Sequence, residues 1–150
     1  MDREETRPQL RTLQLIWLAF MGAAVIYAVI GGMLARQAAP GELAGPVVAA
    51  FAVAAMASAA AGFALPPRML ARVRGHDLSL GEVIPRYQSA MVVGWACFEA
   101  VALLGLVLTL LTGEVLPVLS GAAVSVALLL AGRPRPQAFL QSARLHRARP

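Results

Sequence analysis

The chain has 150 residues, 59% of them hydrophobic and only 14% charged. Soluble domains carry about 25% charged residues, so the composition argues against a water-soluble globule. It is also far too apolar for a disordered chain. The single cysteine, Cys97, excludes a disulfide scaffold. The formal net charge is +5, and all 13 basic residues are arginine. With the high Ala, Gly and Pro content, this usage points to a GC-rich bacterial genome. The arginines flank apolar runs instead of lining an aromatic-studded face, so membrane topology explains them better than nucleic-acid binding.

A membrane-spanning helix needs about 20 largely apolar residues. Four segments qualify as candidates, giving an expected all-α, single-domain bundle of four antiparallel transmembrane helices. The first runs over 12–34 and carries no charge. It is longer than the apolar part of a signal peptide, and no A-x-A cleavage site follows it. The second runs over 43–65, and Pro66-Pro67 is expected to close it. Eleven alanines from Ala44 to Ala64 lie within it. Small residues let helix backbones approach closely. This predicts a helix that is central in the bundle or at a subunit contact, with a second copy or a membrane-complex partner. Ala19 and Gly22, Ala90 and Gly94, and Gly121 offer similar small faces on the other segments.

The middle loop contains Ser79-Leu80-Gly81-Glu82, which has the spacing of a capping box and predicts a short interfacial helix. The third segment runs over 87–111. A minimal turn, Thr112-Gly113-Glu114, joins it to the fourth, 115–132, where Pro117 is tolerated in the first turn. Residues 133–150 form a basic tail. Its Arg133, Arg135, Arg144, Arg147 and Arg149 are candidates for lipid headgroups.

Charge asymmetry gives the expected sidedness. The N-terminal segment, the middle loop and the tail hold twelve arginines, and the first loop holds only Arg36. The positive-inside rule places both termini, with the tail, and the middle loop in the cytoplasm of a bacterial inner-membrane protein.

Glu99 is the one charged residue inside a predicted span. Charge at the bilayer centre costs about 2.5–3.5 kcal/mol on the insertion scale, so the neutral acid is favoured unless water or a cation reaches it. Helical spacing puts Val92, Trp95, Ala96, Ala102, Leu103 and Leu106 on the same face, which is apolar apart from the indole N–H. Polar partners must then come from other helices. Tyr27, Ser58, Ser120 and Ser125 lie at similar depth. Two roles follow for Glu99: a hydrogen-bonded register pin, or a proton- or cation-exchanging carboxyl.

The stretch from Ala90 to Leu111, with Gly94, Glu99 and Gly105, resembles the carboxylate-bearing helix of rotary ATP synthase proteolipids, the subunit c family. That resemblance implies proton carriage by Glu99. Here the carboxylate stands on the first helix of its hairpin, where that family carries it on the second. The whole chain resembles the small four-helix inner-membrane proteins of bacteria, which implies a fold and no reaction. No base–nucleophile pair or phosphate loop is visible, so no enzyme is expected. His76, His146 and Cys97 lack ligand spacing, so neither metal nor cofactor is expected. The expected role is that of a structural or accessory membrane subunit, with ion translocation through Glu99 as the alternative.

Overall fold

The computed structural model describes residues 3–37, 41, 44–71 and 80–134. The described residues form four helices: α1 (Arg3–Ala35), α2 (Gly45–Ala71), α3 (Leu80–Thr112) and α4 (Leu116–Ala131). α1, α2 and α3 each contain a stretch long and apolar enough to cross a membrane, and α4 is a shorter apolar helix. Their outward faces are apolar: Leu15 is 66% exposed and Leu116 70%. A continuous surface of this kind is costly in water and carries no such cost in hydrocarbon.

The helices run past their apolar segments. α1 starts at Arg3, not residue 12, and α3 at Leu80, not residue 87. The expected interfacial helix is therefore the first turn of α3, while its capping residue Ser79 lies outside the described residues. Once a helix is nucleated, each further turn is cheap. α2 corrects the expectation more sharply, because it continues through Pro66 and Pro67 to Ala71. A mid-helix proline removes one backbone hydrogen bond. Two such bonds are lost here, and Pro66 packs on α3: its ring lies over Gly94, so close that a Cβ on Gly94 would come within 2.8 Å of it.

α3 is the hub. It packs on α1, α2 and α4, and α1 also packs on α4. Among the described residues α2 leans on α3 and makes no other substantial helix contact, so the alanine-rich helix is peripheral and not central. Abundant alanine makes close approach possible, but it does not select which helix lies in the middle. Two backbone-to-backbone approaches fix the hub. Gly94 of α3 meets Gly62 of α2, where a Cβ on either glycine would be 3.0 Å from the other's carbonyl oxygen. Gly105 of α3 meets Gly121 of α4, and a Cβ on Gly105 would lie 2.5 Å from the Pro117 oxygen. Gly22, expected to offer a similar small face, has nothing near its Cβ position.

Large side chains fill one end of the bundle. Leu13, Tyr87, Trp95, Phe98 and Leu129 form its core, with Phe20, Met21 and Leu70 packed against them. Phe63 of α2 stacks obliquely on Phe98 at 4.8 Å. Towards the other end the packing is finer-grained, through Ala24, Gly31, Ala102, Thr109 and Val118.

α4 has 16 residues, about 24 Å at 1.5 Å per residue. Its terminal N–H and C=O groups need partners wherever water is absent, and the other helices supply them. At the start of α4, Val118 N–H donates to Thr109 Oγ1 of α3 at 3.0 Å. At its end, Trp17 Nε1 of α1 donates to Leu129 O at 2.9 Å, and Trp95 Nε1 of α3 donates to Gly132 O at 3.0 Å. Gly132 N–H closes on Leu128 O at 2.8 Å. The turn before α4 is equally tied: Gly113, at φ 73°, donates its N–H to Thr109 O at 2.8 Å. Thr112 Oγ1 donates to Leu108 O and accepts from Glu114 N–H.

Two measurements check this account. Gly105→Leu is expected to cost about 1–3 kcal/mol in detergent unfolding through overpacking, while Gly22→Leu stays near neutral; equal losses would remove the crossing from its role. Thr109→Val keeps the shape but leaves Val118 N–H unpaired, and is expected to cost about 1–3 kcal/mol. Unchanged stability there would mean that the end of α4 finds another partner.

Candidate functional site

Glu99 stands on α3 in the seam with α1, one turn after Trp95 and one before Ala102. Both of those neighbours are buried, and Trp95 packs against Phe20 of α1 with ring centroids 6.2 Å apart. On the other side of Glu99, Ala96 and Leu103 are exposed. The carboxyl therefore sits where the seam meets the outer surface, half-buried. Tyr27 reaches it from α1: Tyr27 Oη donates to Glu99 Oε1 at 2.9 Å. The phenol ring lies in the same seam, also half-buried.

The apolar face predicted around Glu99 is only partly a contact face. Trp95, Ala102 and half-buried Leu106 lie in the packed part, and Ala96 and Leu103 do not. The Trp95 N–H, the one polar group expected beside Glu99 on that face, is engaged with Gly132 O. What remains is a two-group site, one phenol and one carboxyl. Such a pair can hold two helices in register. It can also hold a proton, because a carboxylic acid and a phenol both donate and accept.

The serines fall elsewhere. Ser58 lies half-buried on α2, away from the α1–α3 seam. Ser120 is exposed and turns back on its own helix, donating towards Leu116 O at 2.9 Å and Pro117 O at 3.1 Å. Ser125 is fully buried within α4, and its Oγ has no hydrogen-bond partner among the described residues. The structure thus brings one of the four candidates, Tyr27, to Glu99.

Among the described residues no three His, Cys, Asp or Glu side chains converge as a metal site. Cys97 is a free, half-buried thiol. Of the tail arginines, Arg133 is exposed, and Arg135, Arg144, Arg147 and Arg149 lie outside the described residues, as do His76 and His146.

Sequence reasoning did not single out Trp17, Trp95 and Thr109 as helix caps. The available signal was length: residues 115–132 are short for a span of about 20 residues, and a short helix needs help at its ends. Nor did it single out Gly62 and Gly105, because glycines are frequent throughout the chain and only a neighbour's approach distinguishes them. No family model, no curated protein and no solved structure matches this chain.

Proposed function

We propose that the chain is a non-enzymatic, multi-pass protein of the bacterial inner membrane, a structural or accessory subunit whose α1 and α3 are pinned in register by the Tyr27–Glu99 hydrogen bond. That bond is the observation that carries the reading. It gives the one carboxyl inside an apolar stretch a partner within the same chain, 72 residues away. Intramembrane hydrogen bonds of this kind are worth about 0.6–2 kcal/mol, enough to choose between helix registers without any ion passing.

The helices alternate in direction, with both ends on the arginine-rich side. Residue pairings support this. Thr109 meets Val118, Gly105 meets Gly121, and Trp95 meets Gly132, so α4 runs back along α3. Gly62 meets Gly94 while Val48 and Leu108 line one groove, so α2 opposes α3 as well. The capped ends of α4 support a fourth crossing despite its length, since a capped end tolerates low-dielectric surroundings. The outward face of α2 supports association. It keeps Val53, Ala57 and Ala60 exposed, and a second copy or a membrane-complex partner covers it.

A second reading, proton or cation exchange at Glu99, is favoured by one observation. The carboxyl is half-buried at the edge of the seam and not sealed inside it.

Three results test these readings. Alkaline carbonate is expected to leave the protein in vesicles; its release would end both readings. In proteoliposomes, Glu99→Gln is expected to leave pH-gradient-driven flux unchanged, and a flux that vanishes in that variant would establish the second reading. Tyr27→Phe and Glu99→Leu are each expected to lower stability by about 0.6–2 kcal/mol, with the double variant no worse than the larger single loss. Fully additive losses would show that the two side chains do not act together.

A further inference from the structure

A groove follows the seam between α1 and α4 in two joined stretches. The outer one, 600 Å³, passes over Val29, Gly32, Met33 and Val115 and ends at Arg36. The inner one, 380 Å³, continues past Val25 and Val126. Ala28, Val29 and Leu119 line both, so the two are continuous. Gly32 leaves the wall without a side chain at this point; a Cβ there would find only Val115 Cγ2, at an ordinary contact distance of 3.7 Å.

Its shape is asymmetric in charge. The walls are aliphatic, and one exposed guanidinium, Arg36, stands at the mouth. Arg36 makes no ion pair among the described residues. Glu114, in the neighbouring turn, does not line the groove. From Val25 to Arg36 the helix rises about 16 Å at 1.5 Å per residue. That is close to half of a hydrocarbon core of about 30 Å, the depth of one leaflet. A cation at the surface end of an apolar slot one leaflet deep matches an amphiphile with an anionic head.

We propose that the α1–α4 groove binds one anionic phospholipid, its phosphate on Arg36 and one acyl chain laid along Gly32, Val29 and Leu119. The guanidinium fork pairs with two phosphate oxygens, while the aliphatic walls take the chain. The proposal rests on the membrane reading above and specifies what that reading leaves open, the lipid held at the less basic end.

The test uses the full chain, reconstituted in vesicles with equal phosphatidylglycerol and phosphatidylcholine, then released in mild detergent for native mass spectrometry. Retained phosphatidylglycerol is expected to exceed phosphatidylcholine. Arg36→Gln is expected to reduce the phosphatidylglycerol adduct about five-fold, the worth of one basic residue at an anionic surface, and to leave phosphatidylcholine unchanged. Arg68→Gln, an exposed arginine of α2 that does not line the groove, is expected to change neither. Gly32→Leu is expected to reduce both adducts. If that variant misfolds, a photoactivatable phosphatidylglycerol on the wild-type protein is expected to label residues 28–36 and 115–122. Equal retention of the two lipids, no response to Arg36→Gln, an equal loss in Arg68→Gln, or labelling elsewhere would each overturn the proposal. Failure of the membrane reading shows itself separately, as release of the protein by alkaline carbonate before any lipid is measured.

Discussion

The contact between Gly105 of α3 and Gly121 of α4 holds the rest of the bundle in place. At that point no side chain separates the two backbones; a Cβ on Gly121 would lie 3.2 Å from the Gly105 Cα. Close approach there carries Thr109 to the first turn of α4 and Trp95 to its last. In an apolar medium, association comes from packing and from hydrogen bonds, not from expulsion of water. A pair of glycines supplies the packing. The caps supply the hydrogen bonds, and they reach only because the helices touch.

The second theme is the accounting of polar groups. A chain this apolar has few of them inside its helices, and most of those described are hydrogen-bonded within the bundle. Thr109 accepts from α4, Thr112 ties the turn, Ser120 turns onto its own helix, and both indole N–H groups cap carbonyls. Tyr27 and Glu99 satisfy each other. Ser125 is the exception, buried without a partner among the described residues. This economy explains why a single carboxyl need not mark an ion pathway. One hydrogen bond across a seam is enough to accommodate it, whereas a pathway needs successive polar groups along it.

Several features were legible without any structure. The apolar runs located all four helices, and the turn at Gly113 followed from Thr112-Gly113-Glu114 and carries the positive φ that glycine permits. Helical spacing and depth were enough to include Tyr27 among the partners considered for Glu99. Other features were not legible. Pro66-Pro67 reads as a stop in any local scheme, yet the helix continues to Ala71, with Pro66 packed over Gly94 of α3. The alanine count of α2 suggested a helix central in the bundle or at a subunit contact, but α3 took the central place, because it presents Gly94 to α2 and Gly105 to α4 while also packing on α1.

The sequence by itself determined that the helices are apolar all round, where each one sits in the chain, and that Glu99 is the sole charge within their apolar stretches. These are properties of composition and period, which each segment carries alone. Only the tertiary structure decided which helix is the hub, which of the four hydroxyls meets Glu99, and how the short α4 is closed at both ends. Those outcomes depend on which surfaces touch, and in a chain of nearly uniform apolarity the periodicity does not single out one face of a helix over another.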